Sequence, residues 1–173
     1  MKRRDYLLDT NIIGNIIELI SGCHTDKPDP LQMHWDIKKQ HAFLCPITIG
    51  EIEYGLRIAP DENLERHRLV REFLSQCVIL NIDDNIARDY YADLRARLFN
   101  YCAPRDKRER KNYNKRVEEW KDPATSKELK IQENDLWIVS VAMAHNLVLV
   151  TRDKMDAIKK VAGSDIAFEN WLE

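Results

Sequence analysis

Three observations on this 173-residue chain predict an α/β fold with helices on both faces of a parallel sheet. Short apolar runs alternate with helical patterns, no internal repeat breaks the rhythm, and an acidic residue stands at the edge of four apolar runs. YLLD at 6–9 reads as a short buried strand, and NIIGNIIELI at 11–20 as a helix with clustered apolar residues. Residues 21–35 hold a Gly, two Pro and mixed polarity, which predicts an irregular connection. AFLCPI at 42–47 is a second strand. A helix follows from Thr48 to Arg57, and after Pro60 a polar helix at about 61–76. CVILNI at 77–82 is a third strand. Asp84 and Asn85 are good starters for an amphipathic helix at 86–99. LVLVT at 147–151 and IAFEN near 166–170 supply a fourth and a fifth strand.

One segment departs from this pattern. Residues 103–130 lack apolar periodicity and are dense in charge, with seven Lys/Arg against two Asp/Glu from Arg105 to Arg116. They read as an exposed insertion, partly helical or mobile, in a single domain spanning 1–173. Two functions are open to it. Arg105, Lys107, Arg108, Arg110, Lys111, Lys115 and Arg116, with Tyr113 among them, suit phosphate contact plus base stacking. A solvated charged face is the equally weighted alternative.

Bulk properties narrow the function by exclusion. Net charge is −2 with 32% charged residues, so no partner follows from global electrostatics. The four cysteines are widely spaced without a CxxC pair, which implies reduced thiols in a cytoplasmic protein. The five histidines show no ligand spacing with them, which argues against zinc. The N-terminal stretch briefly imitates a signal peptide, but Asp9, Asn11, Asn15 and Glu18 interrupt its apolar region. No run is long enough to span a bilayer.

The four edge acids are Asp9, Glu51, Asp135 and Asp153. In open parallel sheets ligands bind outside the carboxyl ends of the strands. Carboxylates gathered there repel one another unless a hard divalent cation offsets the repulsion. The pattern points to a metal-dependent enzyme acting on phosphate esters. Each acid also has a structural reading. Thr48-Ile-Gly-Glu51 is an S/T-x-x-E capping box, Asp135 favours the dipole of a helix start, and Asp153 suits a turn. Asp9 is hardest to explain that way, because a carboxylate directly after a buried strand needs compensating partners.

LLDTNIIG at 7–14, ITIGEIEYGL at 47–56, YYADLRARL at 90–98, ENDLWIVSVAMAHNLVLVTRD at 133–153 and ENWL at 169–172 carry a resemblance, in order, to the VapC-type PIN-domain ribonucleases. The resemblance implies a PIN-like three-layer α/β/α sandwich around a parallel sheet. It implies a Mg²⁺- or Mn²⁺-dependent RNA endonuclease, held inactive as a toxin by a cognate antitoxin and commonly a homodimer. Asp9, Glu51, Asp135 and Asp153 match the family's first to fourth acids, while Asn11 and Thr151 match polar residues beside them. The insertion before the third acid replaces a short Gly-containing loop of the family.

On this reading Asp9 and Asp135 are the metal ligands. Glu51 and Asp153 hold metal-bound waters or a second ion, and Asn11 and Thr151 orient waters or acids. Without metal, Asp9→Asn is expected to be neutral or stabilising, because it relieves repulsion. The Ile-rich helix at 12–20 is core, or else feeds a dimer or antitoxin groove. The tryptophans are packing residues. Two rivals stand beside the nuclease. One is an inert PIN-like module that binds RNA or assembles. The other is a haloacid-dehalogenase-like phosphatase with Asp9 as nucleophile, which wants a second Asp where this chain has Asn11.

Overall fold

The apolar runs become very short strands. A computed structural model describes residues 4–20, 30–60, 63–104 and 115–173. Its strands are β1 (Tyr6–Leu8), β2 (Ala42–Leu44), β3 (Val78–Ile79), β4 (Val148–Val150) and β5 (Ala167–Glu169). They form one sheet in the order β3-β2-β1-β4-β5, and every pairing is parallel. A parallel neighbour requires a long crossover, which the intervening helices supply. The register sets Leu8 beside Val150 and Leu7 beside Leu149. All four side chains are fully buried although successive residues point to opposite faces, so β1 and β4 are apolar on both sides.

The helices are α1 (Thr10–Ile20), α2 (Pro30–Lys38), α3 (Pro46–Ile58), α4 (Leu64–Gln76), α5 (Ala92–Cys102), α6 (Glu133–Ala144) and α7 (Asp156–Ala162). The chain divides into two compact units. The first is Met1–Asn81 with Asn146–Arg152 and Ala167–Glu173, and holds the whole sheet and α1 to α4. Its core joins Tyr6, Leu8, Val148 and Val150 of the sheet to Ile12, Ile13, Ile16, Ile17 and Leu19 of α1 and to the fully buried Trp171. Each fully buried Ile or Leu contributes about 1.5–3 kcal/mol, so α1 is fixed chiefly by this packing. Lys38 at the end of α2 ion-pairs with Glu169 at 2.7 Å and lies over the Tyr6 and Trp171 rings.

The second unit is Ile82–His145 with Asp153–Ile166, and holds α5, α6 and α7. α6 contributes Leu136, Ile138, Val139, Ser140, Val141 and Ala142 as buried residues. It is buried on most sides, which is why its sequence shows no helical stripe. The Ser140 hydroxyl is satisfied by donating to the Leu136 carbonyl at 2.6 Å.

Several expected elements need correction. The irregular connection at 21–35 holds α2 from Pro30 onward, with Pro at its first position where no N–H is needed; residues 21–29 lie outside the described set. The third strand shrinks to Val78 and Ile79, both exposed at the sheet edge. The helix expected at 86–99 opens as a π-helical turn at Ile86–Tyr91 before α5. The Asp83 side chain, rather than Asp84 or Asn85, accepts its Ile86 N–H at 2.8 Å. α7 was not anticipated. It is short and ends where Gly163 takes a φ of 58°, a conformation that favours glycine.

From Lys115 onward the charged insertion is more ordered than its composition suggests. Residues 115–131 form an arm with a 3₁₀ turn at Val117–Glu119 and an antiparallel bridge from Lys121 to Glu128. Val117, Trp120 and Ile131 are buried, so three apolar side chains without periodicity suffice to dock it. Among the proposed phosphate contacts, Lys115 and Arg116 are exposed; Arg105, Lys107, Arg108, Arg110 and Lys111 lie outside the described residues.

Candidate functional site

The site in the first unit begins where β1 ends. The Asp9 N–H continues the ladder by donating to the Val150 carbonyl at 3.0 Å, and its own carbonyl accepts the Ile13 N–H that opens α1. Asp9 is thus wedged between a central strand and a helix start, where the dipole favours an anion. It is 4% exposed. Burying a carboxylate needs donors, and three are close. The Thr10 N–H reaches Oδ1 at 2.8 Å, while the Asn11 amide and the Thr151 hydroxyl reach Oδ2 at 3.0 and 2.6 Å.

Asn11 and Thr151, the polar residues expected beside the acids, thus both donate to Asp9. The Asn11 amide also approaches the Thr151 hydroxyl at 3.2 Å, and its oxygen accepts the Arg152 N–H at 3.1 Å. Thr151 is held in turn from β5, because its N–H donates to the Glu169 carbonyl at 3.0 Å. Burial pushes the Glu169 pKa up, but hydrogen bonds from Lys38 and Trp171 outweigh it and hold the carboxyl below its ordinary value.

Glu51 joins the same network through a residue the sequence reading passed over. The Thr10 hydroxyl donates to Glu51 Oε2, so one threonine serves Asp9 with its backbone and Glu51 with its side chain. Thr10 lies in the DTN triplet, and its hydroxyl at a helix start was the available signal. The capping-box reading of Glu51 is overturned. α3 starts at Pro46, so Thr48 sits inside the first turn, buried, with its hydroxyl 3.4 Å from the Cys45 thiol. A proline at the first helical position sets the boundary earlier than the threonine.

Asp135 and Asp153 belong to the second unit. Asp135 is half-buried at the third position of α6, and its Oδ2 accepts the Gln132 N–H at 2.7 Å. Its helix-start reading therefore holds, and a capping role does not exclude metal work. Asp153 is exposed in the bend after β4. Beside Asp135, the Glu133 carboxylate takes an ion pair from Arg95 at 2.7 Å and the Tyr91 hydroxyl, yet burial pushes its pKa up. The π-helical turn delivers Tyr91 flat against Trp137, with ring centroids 3.7 Å apart. Backbone N–H groups of Glu118 and Glu133 hold the Glu118 carboxyl below its ordinary value.

The groups that Asp9 and Glu51 could offer a metal are carboxylate oxygens, the chemistry that suits a hard divalent cation rather than zinc. Among the described residues, no group of three or more His, Cys, Asp or Glu is arranged to hold a metal ion. The fit thus rests on donor chemistry. Mg²⁺ keeps several of its own waters, so two carboxylates satisfy it.

The PIN domain family matches residues 6–164 of this sequence. The chain belongs to the PIN-domain family. Comparison with curated proteins found no match. Among solved structures, this PIN-domain chain resembles a DNA-bound VapBC from Salmonella typhimurium, at 20% identity and a TM-score of 0.64. The match covers 98% of this chain and 99% of that one. VapBC2 from Rickettsia felis, bound to a promoter DNA fragment, gives 22% identity, a TM-score of 0.63 and coverage of 96% and 98%. VapBC-1 from nontypeable Haemophilus influenzae gives 19%, 0.61 and coverage of 97% and 98%. Identities at this level establish a shared fold. The family and the parallel α/β architecture expected from the sequence are both borne out. Among the described residues, no helix is long and apolar enough to cross a membrane.

Proposed function

We propose that this PIN-domain chain is a VapC-type endoribonuclease that hydrolyses RNA phosphodiesters with Mg²⁺ or Mn²⁺. The observation that carries the reading is the linked pair Asp9, directly after β1, and Glu51, on the α3 helix that follows β2, joined through Thr10, with Asp9 steadied by Asn11 and Thr151. A bound divalent ion would lower the pKa of water and neutralise charge developing on phosphate. Asp9 and Asp135 are assigned as its ligands, with Glu51 and Asp153 holding waters; the parts given to Asp135 and Asp153 come from the sequence match.

The chain's own residues do the remaining work. Asn11 and Thr151 fix the orientation of the Asp9 carboxylate, so no reorganisation is needed during reaction. Thr10 holds Glu51 in register with Asp9, where its carboxylate would hold a metal-bound water or a second ion. In-line attack by water leaves a 5′-phosphate and a 3′-hydroxyl, with no protein nucleophile.

The partners follow the same reading. The similar structures are VapBC complexes, which supports a toxin held by an antitoxin. We assign the chain to one domain with an insertion at about 103–130, a homodimeric state and the cytoplasm, with the insertion's Lys and Arg residues contacting RNA. Incubating partner-free protein with structured RNA in Mg²⁺, Mn²⁺ or EDTA, beside Asp9→Asn, tests the activity. Discrete cuts that need metal and vanish in the variant are expected. No cleavage and no metal-induced rise in melting temperature would leave an inert PIN-like module.

A further inference from the structure

The helix that carries Asp135 is fastened at its start by the charged insertion. The first N–H groups of α6 have no partner within the helix. The exposed Glu118 carboxylate, fifteen residues upstream, accepts the Glu133 N–H at 3.0 Å. Asp135 Oδ2 accepts the Gln132 N–H at 2.7 Å, and the Asp135 N–H returns to the Gln132 carbonyl at 3.1 Å. The Asp135 carboxylate is therefore aimed by the same short segment, Gln132 and Glu133, that Glu118 holds.

The arm around Glu118 is itself pinned. Val117 and Trp120 flank it and are buried, and the Leu129 N–H ties the arm back to the Trp120 carbonyl at 3.1 Å. The Trp120 ring packs on Phe99 at 5.5 Å and meets the Arg95 guanidinium at 6.0 Å. Arg95 closes the circuit by pairing with Glu133 at 2.7 Å. An acid within a helix's own first turn is an ordinary dipole contact. Glu118 differs because it arrives from a separate element with a buried anchor on each side.

We infer that Glu118 is a positioning residue for Asp135: the ordered arm of the insertion holds the start of α6 so that this carboxylate keeps one orientation. The inference rests on Asp135 being a catalytic acid and gives the insertion a role independent of RNA contact. It predicts a graded response from two variants of the full chain. Glu118→Ala loses the acceptor, whereas Glu118→Gln keeps an acceptor oxygen in the same place.

The test measures cleavage kinetics, amide hydrogen exchange at Glu133 and the ¹³C carboxyl resonance of Asp135. Glu118→Ala is expected to lower kcat about tenfold with KM little changed, on the scale of a hydrogen bond to a charged group. It should also speed exchange at Glu133 and move the Asp135 resonance. Glu118→Gln should restore most of all three. If Glu118→Ala lowers the melting temperature but leaves kcat and the Asp135 resonance as in wild type, Glu118 is only a structural cap and the inference is overturned. Should wild-type protein cleave no RNA and show no metal-induced rise in melting temperature, the nuclease reading fails by itself, while exchange and the carboxyl resonance still decide whether Glu118 positions Asp135.

Discussion

Replacing Asp9 by Asn isolates the contest between charge repulsion and hydrogen bonding at this site. From composition alone the change looks neutral or stabilising without metal, since clustered carboxylates repel. The structure reverses the sign. Asp9 receives the Thr10 N–H on one oxygen and the Asn11 amide and Thr151 hydroxyl on the other. Asparagine offers one oxygen and one NH₂. With its oxygen toward Asn11 and Thr151, the NH₂ confronts the Thr10 N–H; turned round, it confronts the Asn11 amide. One donor loses its acceptor either way, at 4% exposure where water is a poor substitute. That loss costs about 1–3 kcal/mol. At this chain length it lowers the melting temperature by roughly 3–10 °C. The assay is thermal unfolding in EDTA of wild type, Asp9→Asn, Thr151→Val and the double variant. The two changes share one network, so their effects should couple by about 0.5–3 kcal/mol. An Asp9→Asn melting temperature equal to or above wild type would refute the argument and show that repulsion dominates.

Other outcomes follow from the same geometry. Thr10→Val keeps the backbone donor to Asp9 but removes the hydroxyl from Glu51; it should lower the cleavage rate by roughly tenfold, and Thr10→Ser should restore it. The Tyr101 hydroxyl, with the Thr125 N–H, holds the Asp122 carboxyl down to about 2. A depressed carboxylate contributes stability that is present above its unfolded pKa of about 4 and is lost as pH falls toward 2, so Asp122→Asn should flatten acid unfolding in that window. Changing Arg108, Arg110 and Lys111 to Gln should flatten the log–log salt dependence of RNA binding by about 0.7 for each lost phosphate contact. An unchanged slope would make those residues bystanders.

Local pattern and tertiary structure divided the problem along a clear line. The sequence by itself determined the strands near 6–9, 42–47, 147–151 and 166–170, the parallel α/β class, and the placement of Asp9 and Thr151 at strand ends and of Asn11 at a helix start. Those features depend on apolar runs and punctuation within a few residues, which composition and periodicity register directly. The tertiary structure decided what each side chain meets. Thr10 and Glu51 are 41 residues apart and Asn11 and Thr151 are 140 apart, and they touch because β1 lies between β2 and β4. No local window contains that order. The charged arm shows the same limit, since Val117, Trp120 and Ile131 lack any period yet are buried. Their docking depends on side chains such as Phe99 and Arg95, which only the folded chain brings to them.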